Sequence, residues 1–477
     1  MATDTKQELF KNIPSVDRLL MSRSLKNVSA AYPRTLIIIS INQVLDELRS
    51  KILKGDIVEK GAMPEIEQVA SLTVKRLALI SRPSLRPVIN ATGVVVHTNL
   101  GRSVMAEKVL NKFRALGGGY SNLEYDLEQG RRGSRYTHVE GILKELTSAE
   151  AAMIVNNNAA AVLIALDTLA KGREVIISRG QLVEIGGSFR IPDVMQKSGA
   201  RMVEVGTTNK THLRDYEEAI GPETALLLKV HTSNFQVVGF TEEVPLSDLA
   251  KLGRRFDIPV IEDLGSGCFI DFSNYGLTKE PTVQDSLSSG ASLVTFSGDK
   301  MLGGPQAGII LGQKVLVDAI KKNQLNRALR IDKLTLLALE ETLRIYRDER
   351  AAIKEIPTLR MICAPYHAMV KKAERLLKLT GELKGRNFSV ESEDGASKVG
   401  GGALPLLELP SRLICLKPLR LSSRFIELWL RSYDPPIITK TEKEKIFLDP
   451  RTMQEKDLKI VAEAIMDLAL LEDASII

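Results

Sequence analysis

Cysteine is scarce: Cys268, Cys363 and Cys415 are the only three in 477 residues, widely spaced and with no Cys-x-x-Cys pair. An odd, scattered set argues against a disulfide framework and a structural zinc cluster. Long apolar runs are missing as well. Stretches such as Leu36 to Ile39 last only a few residues, against the roughly 20 that a membrane-spanning helix needs. No membrane association is expected. The opening Met-Ala-Thr-Asp lacks the basic segment and apolar core of a secretory signal, so a cytoplasmic protein is expected. Charge of one sign is only mildly in excess, at a net +6. Residues 1–90 hold 14 Lys/Arg against 9 Asp/Glu, so most of that imbalance sits in the first fifth of the chain. A solvated helical surface or contact with a polyanion such as RNA would each account for it. With 44% hydrophobic and 26% charged residues, the composition is that of a globular chain with room for about three average domains or two large ones.

Three regions are legible from periodicity. In residues 1–85, Ile41, Val44, Leu45, Leu48, Ile52 and Leu53 recur at helical spacing, and Lys54-Gly55 closes that helix. A second helix runs from Glu65 to about Ile80, and the two prolines in Arg82-Pro83-Ser84-Leu85-Arg86-Pro87 mark a boundary. A large domain is expected over 86–332, and within it, from residue 150 to about 312, the pattern becomes short apolar runs alternating with helical segments. Seven strands are expected, at Met153–Val155, Val175–Ser178, Met202–Val205, Ala225–Val230, Val260–Glu262, Leu293–Phe296 and Ile309–Leu311. Alternation of this kind predicts an α/β domain with a mostly parallel sheet, covered on both faces, that binds ligands at the carboxyl ends of its strands. Residues 333–477 read as a linking helix followed by a small α/β domain. Its strand-like pieces are Leu413–Leu416, Ile437–Thr439 and Lys445–Leu448, and it closes with an amphipathic helix over Lys456–Leu471. The glycine triplets 117–119 and 400–402 read as local loops.

The chemistry concentrates at strand ends. Lys300 follows an apolar strand, with Ser297-Gly298 before it and Gly303-Gly304-Pro305-Gln306 after it. A lysine there, shielded from water, can have a depressed pKa and form a Schiff base with a carbonyl. Asp263 ends another apolar strand, and a carboxylate in that place can keep the pyridine nitrogen of pyridoxal 5′-phosphate protonated. In Met153–Ala161 a strand passes through Asn156, Asn157 and Asn158 into a helix beginning near Ala159, a candidate phosphate site built from backbone amides. His231 also ends a strand, where a structural hydrogen bond and a cofactor contact are equally compatible with the sequence.

Together these features favour a pyridoxal-phosphate enzyme of fold type I, the aspartate-aminotransferase arrangement, with Lys300, Asp263, Asn157, Asn158, Ala159, His231 and Ser297 around the cofactor. The chain also resembles one family in particular, the bacterial selenocysteine synthases. The resemblance rests on Pro87–Gly93, Val96–Arg102, Tyr120–Asp126, Gly130–Arg135 and the Lys300 segment, and it covers nearly the whole chain. It implies that Lys300 carries the cofactor and that serine esterified to tRNA(Sec) is the substrate. It implies loss of the seryl hydroxyl to give a dehydroalanyl-tRNA, and selenophosphate as the selenium donor. Arg102, Arg327 and Arg330 match the family's anion-binding positions; a helical spacing would put the last two on one face. By the same resemblance residues 1–85 bind tRNA and the protein assembles as a homodecamer. The Gly130–Arg135 loop suits a role at the cofactor phosphate, the tRNA end or a neighbouring subunit. It suits equally a simple pairing with Glu124, Asp126 and Glu128. The rival reading is a related pyridoxal-phosphate lyase or transferase that acts on a small amino acid or amino sugar acid without tRNA.

Overall fold

The computed structural model describes residues 2–57, 63–185, 189–381 and 387–471. Two compact units emerge, Met1–Pro87 and Val88–Ile477.

Five helices make up the described part of the first unit: Ala2–Lys11, Val16–Leu20, Arg23–Val28, Arg34–Lys54 and Ile66–Ser81. The longest buries Ile37, Ile41, Val44, Leu45, Leu48 and Ile52. Leu53, counted with that stripe in the sequence, is exposed instead, because it lies one residue round from Ile52 on the helix. The chain leaves this helix through Gly55, whose φ of 86° is the left-handed conformation glycine adopts without steric cost. Reciprocal hydrogen bonds between Glu65 and Gln68 cap the start of the last helix, which ends just before Arg82-Pro83.

In the second unit, seven strands form one sheet: β1 (Ala151–Val155), β2 (Glu174–Ser178), β3 (Arg201–Val205), β4 (Thr224–Val230), β5 (Val260–Gly265), β6 (Leu293–Ser297) and β7 (Gly308–Gly312). Their order is β1-β7-β6-β5-β4-β2-β3. All neighbours are parallel except β7, which is antiparallel to both β6 and β1. Alternate side chains enter two separate cores. Ile154, Ile176, Leu227, Val260, Val294 and Ile309 pack on one face; Met153, Val175, Leu228, Ile261, Leu293 and Ile310 pack on the other. Burial on both faces is why these strands read as unbroken apolar runs.

A second sheet lies in the C-terminal region, in the order Lys440–Glu442, Lys445–Leu448, Ala403–Pro418, Phe388–Gly400 and Val94–Val96. Its two long strands are joined through Gly400, Gly401 and Gly402, all at positive φ. Val94–Val96 pairs with Lys398–Gly400, and Ile89–Asn90 pairs with Ile437–Ile438. The segment leading to Arg102 is therefore built into the C-terminal sheets rather than the seven-stranded one. A helix over Lys333–Ile345, capped by the Asp332 side chain, links the two regions, and the last described helix is Asp457–Ala469.

Candidate active site

Four chain segments converge at the carboxyl edge of the seven-stranded sheet. The loop from β6 to β7 carries Lys300 and is tied down at several points. Gly298 donates to Ala307, Gly303 to Lys300, and Met301 to Ser266 on the loop after β5. Ser103 Oγ lies 2.8 Å from the carbonyl of Asp299 and 2.9 Å from that of Lys300. Gly303 turns at φ +71°, and a Cβ there would lie 2.3 Å from Ile356. Glycine is required on both grounds. Lys300 is left 4% exposed, and its amine has no hydrogen-bond partner among the described residues. Burial holds that amine below its ordinary pKa; Asp263, Asp299 and Glu280 pull it back up, and Arg102 adds to the depression.

Asp263, near the end of β5, is 2% exposed. Its Oδ1 accepts hydrogen bonds from Asn158 Nδ2 at 2.8 Å and Thr295 Oγ1 at 3.0 Å. Oδ2 has no partner among the described residues. Burial raises the pKa of this carboxyl, against the hydrogen bonds from Asn158 and Thr295 and the charges of Lys300 and His231. Thr295 was not anticipated from sequence. Its signal is a hydroxyl in the middle of a strand, β6, whose every residue is buried.

Asn157 caps the helix Asn158–Leu169, its side chain accepting from Ala160 N. The amides of Asn158 and Ala159 lie in the first turn, where no intrahelical acceptor is available. Asn158, expected as a phosphate contact, turns its side chain to Asp263 instead. Ser297 ends β6 and is buried, and Gly267, at φ +67°, packs closely against its carbonyl. His231 follows β4; its backbone N–H donates to the Asp263 carbonyl at 2.9 Å, and its Nε2 lies 3.1 Å from Glu280 Oε1. Glu280, also absent from the sequence reading, is buried. Both Ser233 Oγ and Lys300 Nζ approach the same point beside Gly265, at 3.9 and 4.0 Å from where its Cβ would stand. The His231 segment and Lys300 thus border one space.

The arginines are arranged differently from expectation. Arg102 donates to Asp299 Oδ2 at 2.8 Å, next to Lys300. Arg327 lies in a short helix, Asn326–Leu329, but Arg330 does not. Arg330 has extended backbone, bridges Val155 and sits 3.8 Å from Glu124. The shared helical face is therefore corrected: pairing with the end of β1 stops the helix one residue before Arg330. Arg327 is exposed and has no ionic partner among the described residues. In the Gly130–Arg135 loop, Arg135 is buried and binds both Glu124 and the Ile331 carbonyl, while Arg132 reaches Glu124 at 3.5 Å. Two of the loop's three arginines are thus spent on a local carboxylate.

The sequence profile described as L-seryl-tRNA selenium transferase matches residues 88–454, and that of the selenocysteine synthase N-terminal region matches residues 10–49. The chain belongs to the L-seryl-tRNA selenium transferase family. It is 53% identical to the L-seryl-tRNA(Sec) selenium transferase of Solidesulfovibrio magneticus, over 96% of this chain and 97% of that one. With the enzyme of the same name from Geobacter sulfurreducens it shares 51% identity, over 97% and 99% of the two chains. Among solved structures, D-glucosaminate-6-phosphate ammonia-lyase superposes with a TM-score of 0.54 at 21% identity, covering 81% of this chain and 96% of that one. That likeness shows the shared fold, which is the expected fold type I class.

Pyridoxal 5′-phosphate is the cofactor of this family, and the residues present fit it. An unpartnered buried amine can take the aldehyde. An unpartnered Asp263 oxygen can take the pyridine N–H. Any residue larger than glycine at 265 would push a Cβ to within 4.0 Å of the Lys300 amine. No helix among the described residues is long and apolar enough to cross a membrane.

Proposed function

We propose that the protein converts L-seryl-tRNA(Sec) to L-selenocysteinyl-tRNA(Sec) with selenophosphate as selenium donor. The observation that carries this reading is the pairing by charge of the buried Lys300 amine with the braced Asp263 carboxylate, in a chain 53% and 51% identical over nearly its full length to two transferases of that name. Bound pyridoxal phosphate supplies an electron sink that acidifies the serine Cα proton and lets the β-hydroxyl leave. Lys300 would hold the cofactor, and its free amine would take up the Cα proton; an amine with lowered proton affinity is suited to act as a base near neutral pH. Asp263 keeps positive charge on the pyridine nitrogen, and Asn158 and Thr295 keep its carboxylate turned to that task. His231 and Ser297 border the cofactor, and Asn157, Asn158 and Ala159 present a helix N-terminus to its phosphate.

Arg102, Arg327 and Arg330 bind selenophosphate, since guanidinium groups suit a multiply charged oxyanion. Arg102 adjoins Lys300 through Asp299, which would bring the donor close to the acceptor carbon. Residues 1–85 bind the tRNA, supported by their positive bias and by the family's N-terminal match. Residues 86–332 form the cofactor-binding domain and 333–477 the linking helix and small domain. The family resemblance supports a cytoplasmic homodecamer.

Radiolabelled selenophosphate supplied with seryl-tRNA(Sec) tests the reaction. Label is expected on the aminoacyl-tRNA with the wild-type protein and not with Lys300→Ala; equal transfer by both would refute the assignment.

A further inference from the structure

Ser233, which borders the same space at Gly265 as the Lys300 amine, also lines a cleft of about 490 Å³ together with Ser178, His231, Phe235, Lys279 and Glu280 among others. His231 lines this cleft and directly follows the strand that pairs with the one carrying Asp263. Its backbone is fixed to Asp263, and its ring remains 24% exposed while Glu280 is 4% exposed. Glu280 occupies Nε2 at 3.1 Å, so Nδ1 is the ring nitrogen without a partner among the described residues. The arrangement is an imidazole with one nitrogen clamped by a buried carboxylate and the other available to whatever enters the cleft. Bordering the cofactor leaves this second nitrogen without a role.

We propose that His231 is the proton donor for departure of the seryl hydroxyl, and that Glu280 is the positioning residue that orients it; this rests on the seryl-tRNA reading above. As the Cβ–O bond breaks, its electron pair stays on oxygen. The Nδ1 proton of His231 joins that oxygen and water leaves. Electrons from the broken Cα–H bond close the Cα=Cβ double bond, and His231 is left neutral. Lys300 has already taken the Cα proton, so acid and base are separate groups.

Charge supports the assignment. Burial alone would lower the His231 pKa, but the hydrogen bond and charge of Glu280 outweigh it, with help from Glu262 and against Lys229, and the net direction is upward. Asp263 also acts on the ring by charge, and Lys210, Glu242, Glu243 and Lys279 line the same cleft. An imidazole whose proton affinity is raised by a buried carboxylate, with its other nitrogen facing a cleft, is equipped to give a proton to a poor leaving group.

Two experiments separate the possibilities. The cofactor-loaded proteins, wild type, His231→Gln, Glu280→Gln and Glu280→Asp, are given seryl-tRNA(Sec) in deuterated water without selenophosphate. Deuterium entry at Cα and loss of the hydroxyl are then read on the same aminoacyl group by mass spectrometry. Proton removal at Cα does not need the hydroxyl to leave. His231→Gln should therefore keep Cα exchange within about threefold while hydroxyl loss falls about 10²–10⁴-fold, the range of a general acid. Glu280→Gln should fall in the same direction, and Glu280→Asp should recover part of the loss. Equal loss of both readouts in His231→Gln, or unimpaired hydroxyl loss, would overturn the proposal. A wild type that shows neither reaction would overturn the seryl-tRNA reading itself.

Without substrate or cofactor, carbethoxylation of His231, followed by peptide mass spectrometry across pH, reports its protonation. The wild-type ring should become reactive at a higher pH than in Glu280→Gln. Coincident curves, or a ring unreactive in both, would contradict the pairing and the open Nδ1.

Discussion

Replacing Asp263 by asparagine separates what this carboxylate costs the fold from what it gives the site. The substitution keeps the shape, and a carbonyl oxygen can still accept from Asn158 and Thr295, which now hold Oδ1 at 2.8 and 3.0 Å. Only the charge is removed. In the cofactor-free protein that charge is a burden, because a buried ion loses several kcal/mol of hydration that two hydrogen bonds and a distant amine only partly return. The upward shift of the Asp263 pKa has that cause. A raised folded-state pKa means that the native protein binds more protons than the unfolded chain, so this group's contribution to stability falls as pH rises from the ordinary aspartate range through the raised value. Asp263→Asn lacks that dependence. Without cofactor it should melt no lower than wild type at pH 8, and its advantage should shrink as the pH is lowered towards 5. With cofactor the order reverses. Neutralising one partner of a buried, hydrogen-bonded charge pair costs about 2–5 kcal/mol, or roughly 30-fold to several thousand-fold in affinity. Thermal melts by circular dichroism and spectrophotometric titration with pyridoxal phosphate read the two effects. Cofactor affinity within about threefold of wild type, or a lower melting point for the cofactor-free variant at pH 8, would refute the reasoning.

Four further outcomes follow from the structure. Gly303→Ala combines positive φ with a Cβ 2.3 Å from Ile356, so it should lose about 2 kcal/mol or more of stability and release cofactor. Gly55→Ala, also at positive φ but with nothing within 4 Å, should cost only about 1 kcal/mol by chemical denaturation. Arg102→Lys should raise the KM for selenophosphate about tenfold or more while leaving the cofactor's absorbance unchanged, because an ammonium cannot reproduce a planar two-donor contact; steady-state kinetics at varied selenophosphate check this. Burial pushes the Cys363 thiol up to about 12 and that of Cys268 higher still, so iodoacetamide at pH 8 should leave both unmodified by mass spectrometry and activity intact.

What was legible in the sequence follows from which interactions are local. The seven strands of the large sheet could be read because burial on both faces leaves no polar alternation to confuse them, and Lys300 and Asp263 stood out as charges at the ends of such strands. The Phe388–Gly400 strand was missed because Glu391 and Asp394 are exposed and Glu393 half-buried, a run of carboxylates that looks like loop. Arg330 was misplaced because its pairing with Val155 comes from 175 positions away in the chain. Thr295 and Glu280 escaped notice for a related reason. Each acts on a partner, Asp263 or His231, that lies 32 or 49 residues distant, and a single hydroxyl or carboxyl carries no local mark of such a contact. Arg451 is similar: a fully buried guanidinium bonded to the carbonyls of Met361, Ala364 and Pro410, which no periodicity reveals.

The chemistry of this site depends most on which amine holds pyridoxal phosphate. Reduction of the cofactor-loaded protein with borohydride, digestion and peptide mass spectrometry locate that amine directly. The pyridoxyl adduct is expected on Lys300 and to be lost in Lys300→Ala; an adduct on another lysine, or none at all, would contradict it.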